Sequence, residues 1–221
     1  MSSTRIRRAG RKTGPKPRFT REDVINAAVE LGIDRFTLGA VAAKLGIATS
    51  AMYRLFDSRD ALVDACLAQA AAEIGMIMLD DELPWPELLR NWAETTWNIC
   101  EKYPGLDITI FQYTQSFSHV RGFTQHAMGI LMAQGFARSE AIFALDFIGD
   151  TVLATHIGMS AMRHSPEGMD IVRRTITELS AETLLDNKDH WNAQRGFLDA
   201  KVEFIIAGLR QQLGQRATEK T

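Results

Sequence analysis

TLGAVAAKLGIATSAMYRLF, residues 37–56, is the stretch that decides the fold. Val41 and Leu45 lie one helical turn apart, and Met52 and Leu55 repeat a helical spacing after Gly46 and Ile47. Apolar residues at that period mark two short helices that each bury one side. Ala42 is small where the two would cross, and Gly46 is the residue type that adopts the left-handed conformation of a sharp turn. A helix-turn-helix accounts for every one of these positions. Its second helix, expected over 49–55, is too short to persist alone in water, because nucleation is costly and few hydrogen bonds follow it. It must lean on its neighbours through Met52, Leu55 and Phe56, which leaves Thr49, Ser50, Tyr53 and Arg54 on the outer face. Hydroxyls and a guanidinium there suit phosphates and base edges, and the methyl groups of Thr49 and Ala51 suit a thymine methyl.

Outward from this stretch the chain stays helical. T-R-E-D at 20–23 has the form of a capping box that opens a helix with Val24, Ala27, Ala28 and Leu31 on one face, and Gly32 stops it. Thr37 caps the second helix and Ser58 caps a long fourth one through about residue 79. Helical spacing then continues over 84–102, 106–114, 119–134 and 139–163, in a shorter element after Ser165-Pro166, and over 195–213, with no strand-like alternation. The expected fold is all-α, an N-terminal helix-turn-helix three-helix domain followed by a larger helical domain. The expected organisation is a flexible basic arm over 1–18, a DNA-binding domain over 19–65 that helix four connects onward, and a second domain over 66–221.

Charge supports a nucleic-acid partner at one end. The net charge of −2 hides eight basic residues and no acid in residues 1–21, ahead of a remainder that is net acidic. A free basic arm on an acidic body directs a polyanion to the N-terminal end. No run of about 18 uncharged apolar residues and no leader pattern is present, so a cytoplasmic protein without a membrane partner is expected. Cys66 and Cys100 have 33 residues between them and no cysteine or histidine companions at ligand spacing, so neither a disulfide framework nor a metal site is expected. His126 and His156 are expected as hydrogen-bonded core histidines, and no cofactor is implied.

The run GIATSAMYRLFDSRDAL, residues 46–62, resembles the pattern Gly-Val-Ser-x-x-x-Leu-Tyr-x-x-Phe-x-x-Lys-x-x-Leu common in the TetR (tetracycline-repressor-like) family of bacterial transcription regulators. The resemblance extends from Thr20 to about Ala65. It implies that Tyr53 and Arg59 contact DNA phosphates, and that Thr49, Ser50, Ala51 and Arg54 read bases, with Thr37 at the start of the supporting helix beside them. Lys16 and Arg18, in an arm that mixes basic residues with Gly and Pro, either enter the minor groove or add nothing specific.

The resemblance further implies a C-terminal domain that binds a small ligand and dimerises. Trp92, Trp97, Phe111, Tyr113, Phe117, Met128, Met132, Phe143, Phe147, Asp150 and Met159 are the candidate ligand residues, since aromatic and Met side chains at helical spacing line either an apolar cavity or an ordinary core. Asp146 and Asp150, one turn apart, would hold a cationic or hydroxylated ligand or tie a dimer together. Gly149, Gly158, Phe197, Val202, Ile205, Ile206 and Leu209 are the candidate homodimer contacts, on helices whose apolar faces suit a four-helix bundle. The expected function is that of a homodimeric repressor on double-stranded DNA with a near-palindromic operator, released by a small-molecule effector. An effector-independent dimeric DNA-binding protein is the alternative. An α-helical enzyme or carrier finds no nucleophile-base pair, phosphate loop or metal spacing to support it.

Overall fold

Thr20 opens α1 in the way its sequence demands. Its hydroxyl accepts from the Asp23 amide at 3.1 Å, and the Asp23 carboxylate accepts from the Thr20 amide at 2.7 Å, so two donors that a helix start leaves open are satisfied together. The structure, a computed structural model, describes residues 19–77, 82–182 and 194–219. Among them are ten helices: α1 Arg21–Leu31, α2 Leu38–Lys44, α3 Thr49–Met52, α4 Arg59–Ile77, α5 Trp85–Lys102, α6 Leu106–Gln112, α7 Ser116–Ala133, α8 Arg138–Arg163, α9 Pro166–Glu182 and α10 Leu198–Glu219. The fold is all-α, with no strand among the described residues. The basic arm, including Lys16 and Arg18, lies outside them.

Helix limits differ from the expected ones where side-chain chemistry intervenes. α3 stops at Met52, because the amides of Arg54 and Leu55 turn to the carbonyls three residues back, of Ala51 and Met52, rather than four. α7 starts three residues early, at Ser116, whose buried hydroxyl donates to the Tyr113 carbonyl at 2.6 Å and closes the turn from α6. α10 continues past Leu213 to Glu219, since Gln and Arg sustain a helix after its apolar stripe has ended.

Two apolar clusters organise these helices. One is built from α5, α7, α8 and α10, around Leu89, Leu131, Leu145, Ile148, Val152 and Ile206. The other holds α1 to α4, around Val24, Ile33, Val41, Met52, Phe56 and Leu62, and it takes in Ile99, Cys100, Tyr103, Leu106 and Leu153 from α5, α6 and α8. The helix-turn-helix therefore shares its core with the helices behind it. Both thiols are buried, and burial pushes Cys66 up to about 12. By length and composition α8 is apolar enough to cross a membrane, but here it is a core helix with Asp146 and Asp150 on its outer side.

α6 is the joint. Pro104 accepts from the Ile33 amide at 2.8 Å, which ties the loop before α6 to the loop after α1. Gly105 follows at φ +82°, and a Cβ there would overlap the Asp34 carboxylate, so glycine is required both by conformation and by close approach. At the first turn of α6, Asp107 accepts from His156 Nδ1 of α8 at 2.6 Å, and the two residues are 4% and 5% exposed. Burial opposes the charge on Asp107, but hydrogen bonds from His156 and the Ile108 amide outweigh it and hold the carboxyl below its ordinary range.

A carboxylate depressed in the folded state stabilises the fold above the ordinary carboxyl range and loses that contribution as pH falls through it. Asp107→Asn is therefore expected to cost about 3 kcal/mol near neutrality, the size of breaking a buried pair. The gap to the unchanged protein should close in urea titrations repeated below about pH 4.

Candidate nucleic-acid interface

The turn between α2 and α3 is made by conformation rather than by crowding. Gly46 sits at φ +65° with nothing within 4 Å of where a Cβ would point, so the left-handed backbone alone selects glycine. The Ile47 amide then reaches back to the Ala42 carbonyl at 3.0 Å, and Ala42 is buried at the crossing. Met52 and Phe56 are buried in the apolar cluster that α1, α2 and α4 share, and they seat α3 there. On the other side Thr49, Ser50, Tyr53 and Arg54 are all exposed together, Tyr53 by 53%. Ala51 lies half-buried between them. Ala48 provides no side-chain cap to α3.

Arg21 secures the other end of α3. Its guanidinium donates to the Leu55 carbonyl at 2.8 Å and lies 4.0 Å above the Phe56 ring. Nothing in the local pattern pointed to this residue, because its partners are 34 and 35 positions away. Thr37 faces solvent, but its hydroxyl is occupied by the Ala40 amide as the α2 cap.

Arg59 is where the expectation needs correction. Instead of projecting towards a phosphate, its guanidinium turns inward and donates to the carbonyls of Phe36, Ile33 and Asp34 at 3.0, 3.1 and 2.8 Å, and to the Tyr113 hydroxyl at 2.8 Å. Three carbonyls left open by the irregular loop between α1 and α2 outcompete solvent for the five-donor fork of an arginine. Tyr113 in turn donates to Asp60 at 3.0 Å. It is a strut between α6 and α4 rather than part of a ligand cavity.

The remaining candidate ligand residues do not converge either. Trp92, Trp97, Met128 and Met159 are buried in the core, with Trp92 against Phe123 and Trp97 edge-on to His156. Phe111, Phe117, Met132, Phe143 and Phe147 are exposed instead, and Asp150 lies on the outer side of α8. Their helical spacing was that of helices covered on more than one side, so part of each set fell outside any common interior. Partial desolvation and the charge of Asp146 raise the Asp150 carboxyl. His126 is exposed, not a core histidine.

Of the candidate dimer residues, Val202, Ile205, Ile206 and Leu209 are buried within this chain's own core, and Gly149 faces the Trp92 indole. These are intramolecular contacts, because a helix with a wide apolar face uses its most apolar side for the core first. Phe197 and Gly158 stay accessible. Phe143 and Phe147 on α8 and Phe204 on α10 were missing from the expected dimer set yet form an outward apolar face, with Phe204 81% exposed. Among the described residues no group of three or more His, Cys, Asp or Glu side chains is placed to hold a metal ion.

The model of the bacterial regulatory proteins of the tetR family matches residues 25–66, which run from α1 through the first turns of α4. Over this stretch the chain is similar to that family. Solved structures extend the likeness to the fold of nearly the whole chain. Apo ActR from Streptomyces coelicolor aligns with a TM-score of 0.69 at 16% identity, over 91% of this chain and 100% of that one. TetR from Acinetobacter baumannii aligns at 0.60 and 20% identity, over 88% and 98%. A variant of that TetR in complex with minocycline aligns at 0.58 and 20% identity, over the same shares. No curated protein matches the sequence significantly.

Arg21 and Arg54 should separate positioning of α3 from contact with DNA. Arg54→Ala is expected to cost about 1–3 kcal/mol of specific DNA binding and to relax sequence preference, as removal of a base-reading arginine does. Arg21→Met should weaken specific binding severalfold while leaving the slope of affinity against salt unchanged, because it displaces α3 without removing a phosphate contact. Affinities measured over a salt series distinguish the two.

Proposed function

We propose that this protein is a ligand-responsive DNA-binding transcriptional regulator of the tetR family that acts in the cytoplasm as a homodimeric repressor. The observation that carries the reading is α3, anchored by Met52, Phe56 and Arg21 while Thr49, Ser50, Tyr53 and Arg54 stand free on one face of a tetR-family domain. In this reading the arm over 1–18 and the helices to residue 65 hold DNA, and the chain from residue 66 onward takes up ligand and pairs the subunits. A non-enzymatic role follows from the same assignment.

Dimerisation is supported by the outward face of Phe143, Phe147 and Phe204, where apolar surface of this kind is better covered than solvated. Two copies meeting through α8 and α10 would present two recognition helices to successive major grooves of a near-palindromic site, roughly 34 Å apart. The relation to minocycline of a protein with this fold supports a drug-sized effector here. The route of its effect on DNA is α6, which is bonded to the loop after α1 at one end and through Tyr113 to Arg59 and Asp60 at the other. A ligand that binds better to one setting of α6 shifts the population, and a preference of a few kcal/mol suffices.

The packed Trp92, Trp97, Met128 and Met159 favour a second reading, in which the C-terminal helices serve dimerisation alone. Titration of candidate compounds against the protein bound to its operator decides between the two.

Selection from random double-stranded DNA with the purified protein should enrich an inverted repeat, and a pool without any enriched sequence would overturn the assignment. Phe204→Glu is expected to produce a monomer by sedimentation and to lower operator affinity by at least tenfold, while the helical content is retained. Deletion of residues 1–17 should weaken DNA binding and flatten its salt dependence.

A further inference from the structure

α4 presents two different sides to the rest of the chain. Leu62, Val63 and Cys66 are buried in one apolar cluster with Val24, Met52 and Phe56, so that side carries the helix-turn-helix. Asp60 and Asp64, one turn apart, meet the corner between α6 and α7 instead. Tyr113, the residue after α6, donates to Asp60 at 3.0 Å, and His119, in the first turns of α7, donates through Nε2 to Asp64 at 2.7 Å. Ser116 closes the corner by donating to the Tyr113 carbonyl, which makes Tyr113 and His119 parts of one unit.

The Tyr113 hydroxyl also accepts from Arg59 at 2.8 Å. An arginine only donates, so the hydroxyl proton is left for Asp60, and one directed chain runs from the guanidinium to the carboxylate. Through Arg59 the corner holds the loop between α1 and α2 as well. The side chains of His119 and Asp64 are 21% and 47% exposed, and pairs so open to solvent add little to overall stability. Their effect is geometric. A single bond lets α4 pivot about it, whereas two bonds separated by one turn, about 6 Å along the axis, do not.

We propose that Tyr113 and His119 are positioning residues that make operator binding selective for the spacing between half-sites. This role rests on the dimeric regulator reading above. With two subunits joined through α8 and α10, the setting of α4 on each decides how far apart the two copies of α3 stand. One base pair more or less shifts the half-sites by about 3.4 Å and turns them by roughly 35° about the DNA axis, which a rigid pair of helices does not follow. Released from Asp60 and Asp64, the corner lets α4 swing, so each α3 reaches its groove at more than one spacing and with lower affinity at the best one.

Binding of the full-length protein to the selected operator, and to the same operator with one base pair inserted or removed between its half-sites, tests this role. The unchanged protein should lose roughly tenfold or more in affinity at either altered spacing. Tyr113→Phe and His119→Ala should each reduce that loss, and together by about threefold or more, with the slope against salt unchanged because no phosphate contact is removed. Ile148→Val, which opens a cavity in the other core and lowers stability without touching the corner, should keep the full loss. A smaller loss in the unchanged protein, a smaller reduction in the double variant, a changed salt slope or the same relaxation in Ile148→Val would overturn the role.

A measurement without DNA separates the corner from the regulator reading. Spin labels at Glu22→Cys in α1 and Gln125→Cys in α7, both exposed positions, report the swing of one helix against the other, with labelled chain diluted in unlabelled protein and the buried Cys66 and Cys100 left unlabelled. The distance distribution should broaden in the double variant, and an unchanged width would overturn the corner as a positioning device. Broadening without any enriched inverted repeat would uphold the corner and overturn the regulator reading.

Discussion

The guanidinium of Arg59 holds the architecture at its most vulnerable point. The loop between α1 and α2 turns back on itself within a few residues and leaves carbonyls that no helix satisfies. Arg59 collects three of them, from Ile33, Asp34 and Phe36, and adds the Tyr113 hydroxyl. Buried carbonyls without donors are costly, so this one side chain fixes the start of α2 relative to α4. It also ties both to α6. The position of α3 follows, because α3 packs on α1, α2 and α4 and has almost no stability of its own.

A four-residue helix makes that dependence acute. α3 lacks a side-chain cap at Ala48, and it gains its place from the burial of Met52 and Phe56 and from Arg21 on the Leu55 carbonyl. Burial of each large apolar side chain is worth about 1.5–3 kcal/mol, which exceeds what so few backbone hydrogen bonds provide. The outer residues then need no structural role. Tyr53 and Arg54 are left on the exposed side because the inner residues have already settled where they stand.

The same economy of contacts gives α6 its double attachment. Its start is bound to the loop after α1 through Pro104 and Ile33 and to α8 through Asp107 and His156, and the chain just beyond its end is bound through Tyr113 to α4. A short helix pinned at both ends moves as a body or not at all, so a change on the α8 side reaches the DNA-binding helices without passing through flexible chain. That is a mechanical property of the joint, and it is independent of which molecule acts on it.

Much of the local structure was legible in the sequence. The capping box at Thr20, the caps at Thr37 and Ser58, the left-handed Gly46 and the buried Met52 all follow from interactions between residues a few positions apart, where spacing and residue type suffice. The exposed face of α3 followed from the same periodicity. What periodicity leaves open is which of several apolar sides of a long helix meets which neighbour. Val202, Ile206 and Leu209 turned to the chain's own core and Phe204 to the outside, although all four share one helix and one kind of side chain. Likewise a sequence shows that Arg59, Tyr113, Asp107 and His156 are polar, but not that loops and helices far apart in the chain bring carbonyls and carboxylates within their reach. The sequence by itself determined the helices, the caps at Thr20, Thr37 and Ser58 and the face of α3. Only tertiary structure decided which charges are buried and paired, because that depends on distances between segments that local propensity does not encode.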